Sequence, residues 1–248
     1  MSNSAAWTTL GVTSSTPSAL TFYGGSYRAM RLAPAACMRW DGTAWVPTVG
    51  PGPVGEVRAL ARSGDDILVG GAFTSTTTTA PLNRIARWDG TTFEALDTGV
   101  TGTSVDALVL RANGELIAGG LFTMAGSTSA ANIARWNGSA WSALGAGTNG
   151  QVLALCELPN GDAIAGGSFT TAGGVACNRI ARWNGSAWSP LNFGFNADVR
   201  ALAVKNDGTL YAAGAFTAAG ASSCSRIARW DGFVWQPLGS GTNGDVHA

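Results

Sequence analysis

The sequence predicts an all-β protein, a β-propeller of five four-stranded blades, and three observations carry the prediction. A unit of 47 or 48 residues recurs along the 248-residue chain, its apolar segments are short and glycine-rich, and Asn-Gly or Asp-Gly pairs stand between them. Ala-Arg-Trp, or Met-Arg-Trp in the first unit, ends at Trp40, Trp88, Trp136, Trp183 and Trp230, at intervals of 48, 48, 47 and 47. A repeat of about 40 to 50 residues holding four strands falls in the propeller range, whereas β-helix repeats are much shorter.

The elements follow in order within each unit. A Val-x-Ala-Leu strand begins at Val57, Val105, Val152 and Val199, and starts again at Val246. Turns at Asn113-Gly114, Asn160-Gly161 and Asn206-Asp207-Gly208 lead to the second strand. Asn-Gly suits such hairpins because a type I′ turn needs positive φ at both central residues. The second strand runs into a glycine-aromatic block: Gly24-Gly25-Ser26-Tyr27, Gly70-Gly71-Ala72-Phe73, Gly119-Gly120-Leu121-Phe122, Gly166-Gly167-Ser168-Phe169 and Ala213-Gly214-Ala215-Phe216. Paired glycines among β-formers exclude a stable helix. The third strand carries Arg-Trp, an Asp-Gly or Asn-Gly turn follows, and the fourth opens on Trp45, Phe93, Trp141, Trp188 or Trp235. Nine of the ten tryptophans occupy these two columns, leaving only Trp7 outside. One such sheet has two partly apolar faces, and radial stacking of like sheets covers both.

The blades are expected at about 6–50, 51–98, 99–146, 147–193 and 194–240, within one domain, with 241–248 as a closing tail beside blade one. Both ends carry spare strand signals. Leu10 to Ser14 stands where a first strand of blade one would fall, yet Ala6 to Gly11 resembles a fourth strand. Residues 241–248 match 147–154 at six of eight positions. A monomer is expected, with exchange of terminal strands between chains as the alternative.

Charged residues make up 12% of the chain, and 15 basic and 15 acidic side chains cancel. Nucleic acid, which demands clustered cations, is excluded as a partner. No apolar run is long enough to span a bilayer, so membrane insertion is not expected. The first residues have no basic stretch before an apolar one and do not form a secretory signal. Cys37, Cys156, Cys177 and Cys224 lie far apart without metal-ligand spacing, so no metal or other cofactor is expected.

Gly-Gly followed by a later Trp resembles the kelch-type propellers. The longer signature Gly-Gly-x-Phe-Thr, then Asn-x-Ile-Ala-Arg-Trp-Asn-Gly-x-x-Trp-x-x-Leu-Gly, is similar to repeats of the fungal cortical polarity-marker family and its bacterial secreted relatives. The resemblance covers nearly the whole chain. It implies a cell-surface or extracellular setting and no chemistry. The first unit departs most, with Tyr27 for Phe and no Asn-x-Ile.

Two repeated columns read as architecture. Arg39, Arg87, Arg135, Arg182 and Arg229 share a face with Ile85 and its equivalents and are expected between blades, bonding carbonyls and stacking on aromatics; a ring of anion-binding arginines is the alternative. The indoles at Trp40, Trp88, Trp136, Trp183 and Trp230, with the second aromatic column, are expected to fill space between sheets; sugar-stacking platforms are the alternative. Function should lie in departures from the repeat. The loops 75–81, 124–130, 171–177 and 218–224 vary most, and Asn83, Arg84, Asn178, Arg179 and Arg226 stand where they enter the third strand. These five are the candidates for a ligand-binding rim, recognising glycan or protein, with ordinary turn capping as the alternative.

Catalysis finds little support. The only histidine is His247, and Asp65, Asp66, Asp106, Glu157, Asp162 and Asp198 form no marked pair. The expectation is a non-enzymatic binding scaffold. A carboxylate-dependent carbohydrate-active enzyme, or a structural module of a larger surface protein, are the alternatives. Asn137-Gly-Ser139 and Asn184-Gly-Ser186 are formal glycosylation sequons within turns of the repeat.

Overall fold

The structure is a computed structural model that describes residues 22–23, 28–33, 36–40, 45–47, 52–76 and 81–247, with side chains from residue 52 onward. Among these the chain forms five antiparallel blade sheets, each a meander of four strands in chain order, with short two-stranded ribbons in the connections. Blade one is Phe22–Tyr23, Arg28–Ala33, Ala36–Trp40 and Trp45–Pro47, and blade two is Val57–Ser63, Asp66–Gly71, Ile85–Trp88 and Phe93–Ala95. Blade three has the longest strands, Val100–Leu110 and Leu116–Ala125, then Ile133–Trp136 and Trp141–Ala143. Blade four is Val152–Glu157, Ala163–Gly167, Ile180–Trp183 and Trp188–Pro190, and blade five is Val199–Val204, Leu210–Gly214, Ile227–Trp230 and Trp235–Pro237. The protein is an all-β propeller.

Blade one is built differently from the rest. Its third strand pairs with Arg28–Ala33, Met30 opposite Arg39. Elsewhere the partner is the run leading into Gly-Gly, with Leu68 opposite Arg87. The Gly24–Tyr27 block expected there lies outside the described residues, as do the strand signals at Leu10 to Ser14 and Ala6 to Gly11.

Among the described residues three apolar cores lie between blades, and a fourth gathers Val57, Ile67, Val69, Phe73, Trp88 and Phe93 of blade two. Leu68, Ile85 and Leu96 of blade two pack with Val100, Val105, Phe122 and Trp141 of blade three. Ile117, Ile133 and Leu144 then meet Val152, Phe169, Trp183 and Trp188, and Ile164, Ile180 and Leu191 meet Phe195, Val199, Phe216 and Trp235. Each large apolar side chain so buried contributes roughly 1.5–3 kcal/mol. The glycine columns set the spacing of these junctions. A Cβ on Gly119 would lie 2.5 Å from a methyl of Val152, and one on Gly166 would lie 2.6 Å from Val199. Glycine therefore lets the next blade's first strand approach this closely.

The fourth-strand tryptophans of blades three, four and five fasten each of these blades to the one before it. Their indole N–H groups donate to leucine carbonyls across the junction: Trp141 to Leu96 at 3.1 Å, Trp188 to Leu144 at 2.8 Å and Trp235 to Leu191 at 3.3 Å. Each also pairs with its third-strand partner at ring centroids of 5.2–5.3 Å. The described indoles thus lie in or against the cores, Trp136 and Trp230 only partly buried. Phe93 packs on Trp88 at 6.2 Å but has no N–H to offer.

The Arg-Trp arginines correct an expectation. Arg87 pairs with Glu94 at 2.8 Å and Asp66 at 3.3 Å, Arg135 bonds Ser142 at 2.8 Å, and Arg182 bonds Asp162 at 2.6 Å. In each case the partner belongs to the same blade, and these side chains reach solvent. Alternation gave their face correctly, since Arg87 stands opposite buried Leu68. Radial sheets splay outward, however, and on the outer strands polar neighbours of the same sheet meet the guanidinium first. Arg229 is likewise exposed, and Arg39 lies outside the described side chains.

In blades two to five the turn after Arg-Trp is held by its Asp or Asn. Asp89 Oδ1 accepts the backbone N–H of Thr91 and Thr92, and Asn137 Oδ1 accepts those of Ser139 and Ala140. The Thr92 N–H first, then Thr91, holds the Asp89 carboxyl well below the usual carboxylate range. The Val234 N–H first, then Phe233, lowers the Asp231 carboxyl. A depressed folded value gives stability that is present above the unfolded value, near pH 4, and lost as pH falls through the folded one. The urea midpoint should therefore fall below about pH 4. A variant with Asp89→Asn and Asp231→Asn, copying the turns at Asn137 and Asn184, should lose less of it there.

The tail repeats the connection made between blades. Thr242 N–H donates to Ser225 O at 3.0 Å, as Val100, Thr148 and Phe195 donate to Asn83, Ala131 and Asn178. Val246 N–H donates to Gly214 O at 3.2 Å. The described contacts of the tail are thus with blade five, in the place of a following blade's first strand.

Candidate functional site

The x residue of Val-x-Ala-Leu sits in a β-bulge in every blade from two to five. The ladder shifts register between Val57 and Ala59, Val105 and Ala107, Val152 and Ala154, and Val199 and Ala201. The unpaired residues are Arg58, Asp106, Leu153 and Arg200. The second glycine of each Gly-Gly makes room for this bulge. A Cβ on Gly71, Gly120, Gly167 or Gly214 would overlap the carbonyl oxygen of Glu56, Ser104, Gln151 or Asp198. Bulges re-aim side chains and terminate pairing next to functional sites.

The bulge residues converge. Arg58, Asp106, Leu153 and Arg200, with Glu56, Gln151 and His247, line one cavity of about 380 Å³. Asp106 is its anchor. The side chain is 6% exposed and bonds Arg58 of blade two at 2.8 Å. It also accepts Ser104 Oγ at 2.9 Å and Gln151 Nε2 of blade four at 2.7 Å. One carboxylate thus ties three blades together. The Asp106 bond is the leading reason the Arg58 guanidinium lies above its ordinary value. Arg58 also pairs with Glu56 at 2.8 Å. On the far side Arg200 bonds Asp245 at 2.8 Å and lies 3.2 Å from His247 Nε2.

The five expected rim residues border this same end of the blades. Arg84, Arg179 and Arg226 hold φ of 71°, 65° and 65°, and Asn83 holds 47°. Such left-handed backbone in non-glycine residues costs on the order of 1 kcal/mol or more and gathers at ligand clamps and turns. From it each arginine reaches the start of the next first strand. Arg84 donates to the Thr103 carbonyl at 3.2 Å, Arg179 stands 3.7 Å from Asp198, and Arg226 stands 3.3 Å from Asp245. Asn83 and Asn178 instead brace the connections between blades, donating to Thr98 O at 2.8 Å and to Phe193 O at 3.1 Å. Asp245, bonded by both Arg226 and Arg200, joins the rim to the cavity.

Sequence reasoning named Asp106 only among scattered acids and missed Arg58, Gln151, Leu153 and Arg200. The available signal was variation at one position. Between a constant Val and a constant Ala, the chain places Arg, Asp, Leu, Arg and His in turn. Cys156, Cys177 and Cys224 are free thiols away from the cavity, and burial pushes Cys156 up to about 12. Among the described residues no cluster of His, Cys, Asp and Glu suits a metal ion.

The blades and their bulge-lined cavity define the class, a β-propeller with a polar site where its first strands begin. Comparison with known proteins agrees on the fold. Residues 205–230 match a family described as a domain of unknown function (DUF5122) beta-propeller. No curated protein matches the chain. Among solved structures, virginiamycin B lyase from Staphylococcus aureus is similar at 12% identity and TM-score 0.56, over 89% of this chain and 69% of that one. YCF48 bound to D1 peptide is similar at 17% identity and TM-score 0.53, over 88% and 66%. The extracellular domain of the one component system BT4673 from B. thetaiotaomicron is similar at 11% identity and TM-score 0.52, over 75% of this chain but 24% of that one. Identities this low show the fold alone.

Proposed function

We propose that this chain is a non-enzymatic binding scaffold, extracellular or at a cell surface, that holds a protein segment at the bulge-lined cavity. The observation that carries the reading is the bulge column. Its residues break the repeat, and the bulge aims them into one cavity. A mixed lining of two guanidiniums, two carboxylates, an amide, an imidazole and a leucine suits a peptide, which offers main-chain amides, charges and apolar side chains together. YCF48, a propeller of similar fold, is a structure with a bound peptide. The extracellular setting is supported by the similar fold of an extracellular domain and by the resemblance to fungal polarity-marker repeats and their secreted bacterial relatives.

The enzyme reading has a geometric difficulty. Glu56 and Asp106 are the carboxylates that line the cavity, yet Arg58 bonds both. The guanidinium stands where a glycosidase would need the scissile bond between its two acids. Glycan remains the second ligand class to test.

Panning a random-peptide display library on the folded chain, beside a glycan array, tests the reading. Selected peptides should lose at least about tenfold in affinity, roughly 1.4 kcal/mol, in Arg200→Ala and Leu153→Arg, with the denaturation midpoint little changed. Glycans binding instead, or peptides indifferent to both substitutions, would overturn it.

A further inference from the structure

We infer that Asn137 and Asn184 are sites of self-modification, at which the folded chain loses the side-chain amide by spontaneous deamidation. Blades three and four each hold two Asn-Gly pairs in hairpin turns. They are Asn113-Gly114 and Asn137-Gly138 in blade three, and Asn160-Gly161 and Asn184-Gly185 in blade four. Asn-Gly is reactive because glycine has no side chain to shield its backbone nitrogen. That nitrogen attacks the asparagine Cγ, the Cγ–Nδ2 bond breaks, and ammonia leaves with the proton the nitrogen gives up. Water then opens the cyclic imide, at the side-chain carbonyl to aspartate and at the main-chain carbonyl to isoaspartate. The glycine N–H and the asparagine Nδ2 must both be free for this, and negative charge develops on Oδ1.

The turns between first and second strands tie both groups. Gly114 N–H donates to Arg111 O and Gly161 N–H to Leu158 O, each at 2.9 Å. Asn113 Nδ2 donates to Glu115 at 3.0 Å, and Asn160 Nδ2 to Asp162 at 2.7 Å. The turns between third and fourth strands leave both groups untied. Among the described residues nothing accepts from Gly138 N–H, Gly185 N–H or the Nδ2 of Asn137 and Asn184. Donors gather instead on the oxygen. Asn137 Oδ1 accepts Ser139 N–H at 2.9 Å, Ala140 N–H at 2.9 Å and Ser139 Oγ at 3.0 Å. Asn184 Oδ1 accepts Ser186 N–H at 3.0 Å, Ala187 N–H at 2.9 Å and Ser186 Oγ at 2.9 Å. Donors already aimed at the atom where charge develops lower the barrier. Both pairs are exposed, so water reaches them.

The aspartate product fits the same turn. Blades two and five carry aspartate there already, and Asp89 Oδ1 accepts Thr91 N–H, Thr92 N–H and Thr91 Oγ1 at 2.7–2.8 Å. Asp231 Oδ1 likewise accepts Phe233 N–H at 2.9 Å and Val234 N–H at 2.8 Å. Conversion at both sites adds two acidic side chains to the 15 present, against 15 basic ones. It also erases both Asn-Gly-Ser sequons.

Ageing the full chain in warm, mildly alkaline buffer and mapping its peptides by mass spectrometry tests this. In the folded chain Asn137 and Asn184 should convert at least about tenfold faster than Asn113 and Asn160. In the chain unfolded by guanidinium the four rates should draw together, which separates the effect of the fold from that of the Asn-Gly sequence. Folded-state rates at Asn113 or Asn160 that equal those at Asn137 and Asn184 would overturn the proposal. So would a contrast that survives unfolding, or folded chain in which Asn137 and Asn184 keep their amides while the unfolded chain loses them.

Discussion

Replacing Trp188 with Ala lowers the stability of the chain by about 3–5 kcal/mol, the largest single effect expected from any fourth-strand residue. Trp188 is buried in the junction between blades three and four and stacks on Trp183 at 5.3 Å. Its removal leaves a cavity that rigid sheets cannot close, and it leaves the Leu144 carbonyl without its indole donor. Trp188→Phe separates the two losses. It keeps most of the apolar volume and gives up the 2.8 Å bond, so it should cost about 1–2 kcal/mol. Blade two carries that substitution naturally, as Phe93. Urea denaturation followed by far-ultraviolet circular dichroism measures both. Equal midpoints for the Ala and Phe variants would mean the hydrogen bond, rather than packing, holds the junction.

Asp106→Ala is expected to cost about 2–3 kcal/mol, though it removes few atoms. The carboxylate accepts from Arg58, Ser104 and Gln151, on three successive blades. Its loss strands the Gln151 amide and the Ser104 hydroxyl in a part-buried setting. Arg58 retains Glu56 and is partly exposed, which keeps the cost below that of breaking a fully buried ion pair. Asp106→Asn keeps the shape and one acceptor oxygen, so it should fall between wild type and Ala. If Asp106→Ala denatures within about 0.5 kcal/mol of wild type, the clamp across three blades carries no weight. The same variants report on binding, because the clamp fixes one wall of the cavity.

Most of the fold was legible because the repeat states the same rule several times. Val152, Gly166, Trp183 and Trp188 recur at fixed offsets, so a strand order that satisfies one unit satisfies the others. Blade one broke the rule in sequence, with Tyr27 and without Asn-x-Ile, and it breaks it in pairing too. The site was less legible. Val-x-Ala-Leu reads as plain alternation, and nothing local announces that Asp106 sits in a bulge. The bulge needs a glycine on the neighbouring strand, Gly120, which the sequence explains equally well as a close approach between blades. In fact the first glycine of each pair serves the junction and the second serves the bulge. The Arg-Trp arginines failed for a different reason. Periodicity gives the face of a strand but not its distance from the axis, and Arg87 shares a face with Ile85 in quite different surroundings.

The three described indole bonds point the same way, from a fourth strand back to the blade before it. Each of the three cores so fastened is shared between two blades, and neither blade of the pair holds it alone. The smallest piece that closes one of these three cores is a pair, and blades three, four and five each add a core through the junction with their predecessor. Cooperativity in such a chain is a property of neighbours, passed along hand to hand. Damage at one junction is felt in full by two blades and only faintly by the others.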